Sequence, residues 1–428
     1  MNTQQNSTLF TNVKVFDGSG SLPFIGEVLV EGNRISRVER GNRYGSATGA
    51  KVINGDGAFL MPGMTEAHTH FSWNDQPNLS SIQLMPPEEH ILWCVEVAKR
   101  YLHAGWTSCL GAATAKPRLD VVLRNAIEKG QFPGPRYLAA SQEITTAGGL
   151  GDEARAHLPF EELSFGVVVS GPESVREAAR RFIKYGVDTL KINLSGEYIA
   201  GMAAELTPFS DEEIAMLVRE ARVNGKRVAA HARSCESLKQ CMRHGIDIIF
   251  HASFTDEEAL DLMEARKDKI FVAPGLAWLI NTSFHASEWG ITPAAAEAMG
   301  YHRELEHAIE SLKKIHKRGI RILPGGDYGF AWCKHGTNAR DLEYFVKHLG
   351  FSNTEALVSA TSYGGQLMMK PNELGQIQPG FLADMLLVDG DPLADISVLQ
   401  DQARILAVMK DGVFYKEPRL QSERAPKW

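Results

Sequence analysis

The sequence lacks a long uninterrupted apolar run, although 44% of its 428 residues are hydrophobic. A transmembrane helix needs about 20 consecutive apolar residues, so none is expected, while the apolar content suffices for a large core. The first ten residues, MNTQQNSTLF, contain neither a basic segment nor an apolar one. No signal peptide is therefore predicted, although a leader removed earlier would leave the same sequence. We expect a cytoplasmic location and no membrane partner.

Cysteine and positive charge are both scarce. The chain has five cysteines, an odd number, and no C-x-x-C pair, so we expect Cys94, Cys109, Cys235, Cys241 and Cys333 to be reduced packing residues. Against 52 Asp and Glu stand only 45 Lys and Arg, for a net charge of -7. This balance offers no basic surface for a nucleic acid or an anionic membrane, so neither is expected as a partner.

The chain contains two kinds of residue pattern, one at its two ends and the other in its middle. Residues 1–60 and 379–428 contain short segments that alternate apolar and polar residues and break at Gly, Asp and Asn, which is typical of strands and turns. We expect these two ends to form one small β domain. Residues 61–378 alternate strand-like and helix-like runs instead. This rhythm predicts an α/β fold, specifically a (β/α)8 TIM barrel.

Eight strand-like segments occur in the middle region, with helix-like runs between them. They are AFLMPGMTEAH, WTSCLGAA, PRYLAAS, VDTLKINL, RVAAHA, IDIIFHAS, KIFVAPG and IRILPGGD. Among the helix-like runs, ESVREAARRFIKYG and SDEEIAMLVREARVNG carry apolar residues at helical spacing and end in Gly.

Polar residues recur at the ends of these predicted strands, where the active site of a TIM barrel lies. His68 and His70 are two residues apart at the end of the first strand, so their side chains point to the same face, as two ligands of one metal ion would. His231 and His251 end the fifth and sixth strands, and Asp327 follows the eighth. Each alone could be a buried core histidine or a turn aspartate. Together they predict one polar site.

Lys191 lies among apolar residues at the end of the fourth predicted strand. A lysine there is costly unless it is paired or chemically altered, and a protonated amine repels metal ions. Carboxylation by carbon dioxide would turn the amine into an anionic carbamate, whose two oxygens can bridge two cations about 4 Å apart. The pattern therefore predicts a centre of two divalent metal ions.

The order H-x-H, Lys, His, His, Asp on successive strands resembles the binuclear branch of the amidohydrolase superfamily. PGMTEAHTH is similar to its first-strand signature, and GQIQPGFLADMLLVDGDPL to the return into its small β-sandwich. ITTAGGLGD, LKINLSG and HGTNARDLEYFV resemble the imidazolonepropionase-like group that holds Xaa-Pro and Xaa-Arg dipeptidases and ochratoxin-hydrolysing amidases. The resemblance implies a barrel at 61–378, a β-sandwich from 1–60 with 379–428, and a homo-oligomer.

The resemblance also implies the ligands and the chemistry. One metal ion, with zinc expected, would be held by His68, His70 and Asp327, the other by His231 and His251, and N6-carboxylated Lys191 would bridge them. A hydroxide shared by the metals would attack the amide carbonyl of a small-molecule substrate. Asp327 would take its proton and pass it to the leaving amine.

Two positions depart from the family pattern. Glu66 stands where the superfamily usually has Asp, which displaces a supporting carboxylate by one methylene. Leu150 stands where many relatives have a His in the third-strand loop. We expect Leu150 to make the substrate pocket more apolar.

Bulky apolar residues such as Trp73 and Phe330 follow the predicted strand ends and, with Leu150, predict an apolar pocket wall. Tyr198, Arg233 and His335 are candidate readers of a substrate carboxylate. We expect cleavage of N-acyl amino acids or dipeptides with aromatic or apolar groups, ochratoxin-type amides included.

Other functions stay open at this point. A lactonase, an esterase (phosphotriesterases included) or a cyclic-amide hydrolase would have the same fold. A deaminase of the superfamily is disfavoured by Lys191, and a non-catalytic scaffold by the complete ligand set.

Overall fold

The computed structural model describes residues 7–41, 49–155, 157 and 164–418. The strands of the first half are β1 (Ser7–Val15), β2 (Phe24–Glu31), β3 (Arg34–Arg40), β4 (Lys51–Asn54), β5 (Phe59–Pro62), β6 (Met64–Thr69), β7 (Trp106–Gly111), β8 (Arg136–Leu138), β9 (Ala140–Thr146) and β10 (Gly166–Val169). Those of the second half are β11 (Thr189–Asn193), β12 (Arg227–Ala232), β13 (Ile248–His251), β14 (Phe271–Ala273), β15 (Arg321–Ile322), β16 (Met385–Val388), β17 (Ile405–Lys410) and β18 (Val413–Lys416).

The helices all lie between β6 and β16 in the chain. They are α1 (Leu79–Gln83), α2 (Pro87–His103), α3 (Leu119–Glu128), α4 (Pro172–Tyr185), α5 (Asp211–Val223), α6 (Cys235–His244), α7 (Glu257–Glu264), α8 (Leu276–Phe284), α9 (Pro293–Met299), α10 (Tyr301–Lys317), α11 (Arg340–Tyr344), α12 (Asn353–Ala360) and α13 (Ser362–Leu367). Short 3-10 segments cover Tyr198–Ala200, Ser287–Trp289 and Ile396–Gln400, and a π-helical segment covers Phe345–Leu349.

One sheet joins the two ends of the chain. Its hydrogen-bonded order is β18-β17-β16-β5-β1-β2-β3, and β4 pairs with β1. β16 runs antiparallel to β5, with Met385 opposite Pro62. Buried side chains that include Phe10, Val28 and Leu60 form a hydrophobic cluster of their own within this sheet. The chain ends therefore contribute to one β unit beside the middle region.

The middle region consists of parallel strands, in a seven-stranded sheet of order β10-β9-β11-β12-β13-β14-β15 and a three-stranded sheet β6-β7-β8. The two sheets are connected at two places. Ala139 alone separates β8 from β9, and the Ala67 amide of β6 donates to the carbonyl of Pro324, just after β15, at 2.8 Å. This arrangement is a TIM-barrel-like α/β fold with an additional β unit, as the sequence predicts.

Each of the eight predicted strand segments contains a strand. Pro62 and Gly63 divide the first segment, so that β5 enters the small sheet and β6 begins the parallel set. A side chain at Gly63 would place its Cβ 2.1 Å from Oγ1 of Thr107, so glycine is needed where the strands change sheet. β10, at the edge of the seven-stranded sheet, is not predicted from the sequence.

The predicted helices α4 and α5 form as their termini indicate. α5 begins with a capping box in which the Ser210 side chain and Glu213 each accept a hydrogen bond from the other's backbone amide. α4 is capped at its C-terminus by Gly186, whose φ of 95° is readily adopted only by glycine.

Among the described residues, no helix combines the length and the apolar character that crossing a membrane requires. The cytoplasmic location stays a prediction. All five cysteines are free and four of them are buried, which confirms the expectation of unpaired packing thiols.

Arg136 of β8 links the parallel strands to the small sheet. Its guanidinium lies 3.3 Å from the buried carboxylate of Asp384 and 2.8 Å from Asp411.

Arg136→Met would leave the Asp384 charge buried without its partner, so we predict a loss of roughly 2–3 kcal/mol in the free energy of unfolding. Thermal unfolding midpoints measure the effect. Lys313→Met, which removes an exposed ion pair with Glu310, is the control and should change stability by less than about 0.5 kcal/mol; equal midpoints for both variants would contradict the prediction.

Candidate active site

A cavity opens where the parallel strands end. Its polar wall consists of His68, His70, Glu143, Lys191, Glu197, His231, His251 and Asp327. Its apolar wall consists of Trp73, Leu79, Leu150, Ile199, Trp278 and Phe330. The structure thus brings the six predicted metal ligands into one cavity, together with Trp73 and Leu150 of the predicted substrate pocket.

The histidine rings are in close contact. The ring centroids of His68 and His70 are 5.1 Å apart, those of His68 and His251 are also 5.1 Å apart, and those of His231 and His251 are 4.4 Å apart. The His70 ring stacks on Trp73 with centroids 3.4 Å apart. Three strand ends, those of β6, β12 and β13, thus direct four imidazoles into one cluster.

The donor atoms of this cluster are buried and unsatisfied. His68 Nδ1, His70 Nε2, His251 Nδ1 and Asp327 Oδ1 have no hydrogen-bond partner among the described residues. Ligand atoms of His68, His251 and Asp327 all lie within 4.8 Å of one another. Burying polar atoms without partners is costly, and a divalent cation would satisfy them. Imidazole nitrogens with a carboxylate oxygen form a donor set that suits zinc.

Backbone carbonyls orient two of the rings. His70 Nδ1 lies 3.1 Å from the carbonyl of Ala113, and His231 Nε2 lies 3.1 Å from the carbonyl of Gly196. Because a carbonyl oxygen only accepts, each of these nitrogens carries the proton. The other nitrogen of each ring then keeps its lone pair for a metal, an arrangement typical of ligating histidines.

Burial and charge set the protonation states. Burial lowers the pKa values of His68, His231 and His251 well below the ordinary range, so these imidazoles are neutral at pH 7, as ligation requires. Burial alone would raise the pKa of Asp327, but His68 and His70 hold it well below its usual value.

Lys191 is also buried, and its side chain lies over the Phe250 ring, 4.7 Å from the centroid. Burial lowers the pKa of its amine, against the opposite effects of Glu143 and Asp327. A lowered pKa increases the fraction of free amine, which is the form that reacts with carbon dioxide.

The backbone is strained at the same place. His251, Ala252 and Asp327 have φ values of 80°, 59° and 64°, a region that residues other than glycine seldom occupy. Gly275 packs against the His251 ring, since a Cβ there would lie 2.7 Å from Nδ1. Strain of this kind persists where surrounding contacts enforce it, and it is concentrated at functional sites.

Glu66 supports the loop that carries Asp327. Its carboxylate accepts a hydrogen bond from the Gly326 amide at 3.2 Å, and Asp341 accepts one from the Gly325 amide at 3.0 Å. Burial raises the pKa of Glu66, and burial also raises that of Asp341 to about 7. Glu66, which is one methylene longer than the Asp usual at this position in the superfamily, therefore reaches the backbone beside Asp327. Its carboxylate supports the loop from there.

Arg233, a predicted carboxylate reader, lies behind the cavity wall rather than in it. Its buried guanidinium pairs with Glu304 at 2.6 Å and with Glu197, and it lies 5.2 Å from the centre of the Trp278 ring. Two carboxylates occupy this cation, so contact with a substrate anion would require one of them to move. Its reading role stays a prediction.

Tyr198 and His335 also lie outside the wall. The Tyr198 hydroxyl donates to Glu205 at 3.1 Å. Both ring nitrogens of His335 are already bonded, to the carbonyl of Trp73 at 2.8 Å and to the hydroxyl of Tyr101 at 3.0 Å. The described structure gives neither side chain a free group in the cavity, and their roles in substrate binding stay predictions.

Sequence reasoning does not identify Glu143 and Glu197, the two further carboxylates of the wall. A signal existed for Glu143, because it is the one charged residue in the strand segment ASQEITT. Glu197 follows β11 in a loop without a distinctive pattern, and its position depends on Arg233 and on the Tyr301 hydroxyl, which donates to it at 3.0 Å.

Known proteins resemble this chain over most of its length. Residues 59–414 match the Amidohydrolase family. The ochratoxinase of Aspergillus niger is 26% identical over 389 residues, which span 84% of this chain and 76% of that protein. A prolidase solved with N-methylphosphonate-L-proline has a TM-score of 0.87 and 27% identity over 96% of this chain and all of that chain. A Xaa-Pro dipeptidase with bound methionine has a TM-score of 0.84 and 27% identity over the same shares.

The unsatisfied donor atoms generate a prediction about metal content. His251→Asn should lower the number of zinc ions bound per chain, measured by mass spectrometry after dialysis, because the shorter amide removes a ligand nitrogen from the buried cluster. His335→Asn is the matched control, since that buried histidine already has partners for both nitrogens and should leave the zinc content unchanged. Equal zinc content in both variants and in the unaltered protein would show that His251 is not a ligand.

Proposed function

The chain belongs to the amidohydrolase family, and from that premise we propose that it is a two-metal hydrolase of N-acyl amino acids or dipeptides with aromatic or large apolar groups, ochratoxin-type amides included. That it is a hydrolase of amide or peptide bonds follows from its family and relatives. The observation that carries the proposal is the single cavity in which a buried polar cluster adjoins an apolar wall.

The metal ligands are proposed residue by residue. His68, His70 and Asp327 would hold one ion, His231 and His251 the other, and N6-carboxylated Lys191 would join them. The unsatisfied atoms of the cluster and the lowering of the Lys191 pKa by burial support this assignment. Two divalent ions, with zinc expected, would supply Lewis-acid chemistry that polarises an amide carbonyl and favours ionisation of a water molecule.

Asp327 is the proposed proton carrier. Its Oδ1 lies 3.2 Å from His70 Nε2 and has no hydrogen-bond donor of its own among the described residues. With Oδ1 as the proposed ligand atom, the second carboxylate oxygen would accept a proton from the attacking water and donate it to the leaving amine nitrogen. The strained backbone at Asp327, held by Glu66 and Asp341, would keep the carboxylate in place for both transfers.

The apolar wall supports the substrate class. Trp73, Leu150, Trp278 and Phe330 can cover an aromatic or aliphatic group beside the scissile amide. Leu150, in the position where relatives have a histidine, adds to this surface. A negatively charged side chain on the substrate would lose its hydration there and would also be repelled by the carboxylates of the polar wall.

The closure of the barrel and the bounds of the two domains are also proposals. We infer a closed (β/α)8 barrel at 61–378 and a β-sandwich from 1–60 with 379–428. The hydrogen bond between Ala67 and Pro324 and the pairing of β16 with β5 support this division. A homo-oligomer is proposed on the family resemblance alone.

Substrate comparison tests the proposed function. The zinc-loaded protein should hydrolyse an N-aroyl-phenylalanine at least about tenfold more efficiently in kcat/KM than the N-aroyl-aspartate, because burying a benzyl group contributes roughly 1.5–3 kcal/mol. The methyl ester of the phenylalanine compound should also be a poorer substrate if a buried polar group binds the free carboxylate. Equal rates on all three would favour a generic amidase or esterase.

Asp327→Asn tests the proton carrier. The amide keeps the shape of the carboxylate but cannot accept the proton, so kcat should fall by about 10²–10⁴. Zinc analysis of the same sample controls for ligand loss, and at least one ion should remain bound. Near-normal kcat with both ions present would assign proton transfer to another group.

A further inference from the structure

Glu143 is a carboxylate that the proposed chemistry leaves without a role. It is 4% exposed and belongs to the cavity wall. Among the described residues, no side-chain hydrogen bond and no ion pair within 4.0 Å is found for it. Its carboxylate borders the cavity, so a cation or a hydrogen-bond donor of a bound ligand would be its partner there.

Glu143 lies beside Lys191 in the parallel sheet. The two residues are directly paired in the β9–β11 register, so their side chains project on the same side of the sheet. They interact electrostatically without forming an ion pair within 4.0 Å. Both residues line the cavity that holds the six proposed ligands, and we assign Glu143 to the border of that ligand set.

The loop after β9 closes against this carboxylate. A Cβ at Gly151 would lie 2.7 Å from Glu143 Oε2, and Gly151 has a φ of 98°, so only glycine permits this approach. Glu153, on the same loop, differs from Glu143 because its carboxylate accepts hydrogen bonds from the amides of Gly151 at 3.2 Å and Phe165 at 3.1 Å. One acid is thus fixed by backbone donors, while its neighbour remains available to a ligand.

Glu143 is the acidic wall residue that is left for a cationic ligand. Of the other two acidic wall residues, Glu197 is paired with Arg233, and Asp327 is a proposed metal ligand. In a dipeptide with a free N-terminus, the ammonium group is attached one carbon away from the scissile carbonyl. A group that binds this ammonium must therefore lie beside the metal cluster, where Glu143 lies.

We propose that Glu143 binds the free α-ammonium group of the substrate, and that the preferred substrates are dipeptides rather than N-acylated amino acids. The inference rests on the proposed amide hydrolysis and narrows it. An N-aroyl group has no cation at this point and would leave Glu143 without a partner, so such amides would be cleaved more slowly than a matched dipeptide.

A pair of substrates of equal shape tests the inference at pH 7, where the α-amino group, with a pKa of about 7.7–8.0, is mostly protonated. L-phenylalanyl-L-phenylalanine carries the ammonium group, and N-(3-phenylpropanoyl)-L-phenylalanine has hydrogen in its place. The zinc-loaded protein should prefer the dipeptide by about 10–100-fold in kcat/KM, the usual effect of one charge-assisted hydrogen bond. Glu143→Gln should reduce this preference to less than about threefold by slowing the dipeptide alone.

Controls separate a binding role from other roles. Glu143→Asp keeps the charge and should retain part of the preference, and Glu153→Gln should retain all of it. Zinc content should be the same in all variants; zinc loss in Glu143→Gln would make Glu143 a ligand and overturn the inference. Equal slowing of both substrates in that variant would also overturn it.

Calorimetry of the zinc-loaded protein separates this inference from the proposed function. If neither compound is hydrolysed, the proposed function is wrong. Dipeptide binding that weakens at least tenfold in Glu143→Gln, with des-amino binding unchanged, would still support the ammonium site. Dipeptide binding that is the same in both proteins would overturn it.

Discussion

A group of imidazole nitrogens and a carboxylate oxygen, buried together without partners, is the constraint on which the rest of the site depends. Left alone, such a cluster opposes folding, because each unsatisfied polar atom has lost its hydration. A bound cation reverses the sign of this contribution, since the same atoms become ligands. The strained backbone at His251 and Asp327 fits this view, because the contacts that hold these residues also hold their side chains toward the cluster.

Groups behind the cluster determine how it is presented. The carbonyls of Ala113 and Gly196 set the tautomers of His70 and His231. Glu66 and Asp341 hold the two glycines before Asp327. Farther out, the Arg233 network of Glu197, Glu304 and Tyr301 braces the wall between the loop after β11 and helix α10. A rigid polar half and an apolar half thus share one cavity.

The sequence predicts the parallel strands and the polar side chains at their ends well, because both depend on local patterns. Apolar runs mark the strands, and His68, His70, His231, His251 and Asp327 stand at their carboxyl ends, which must meet at one edge of a parallel sheet. The cavity confirms that these side chains and Lys191 are brought together, while their roles as ligands stay predictions.

The remaining features depend on partners that are distant in the chain. Arg233 follows a strand end and resembles a substrate reader, but its side chain is paired with Glu304, 71 residues away on α10. His335 is likewise bonded to the carbonyl of Trp73, 262 residues earlier. Local sequence patterns do not predict such long-range pairs. Glu143 shows the opposite case, because its significance lies in the contacts that it does not make.

A crystal structure of the active, zinc-loaded protein, with anomalous diffraction recorded at the zinc absorption edge, tests the two-metal centre most directly. We expect two zinc ions in the cavity, ligated by the four histidines and Asp327, with carbamate density extending from Nζ of Lys191 between them. A single ion beside an unmodified Lys191 amine, in a fully loaded and active sample, would contradict it.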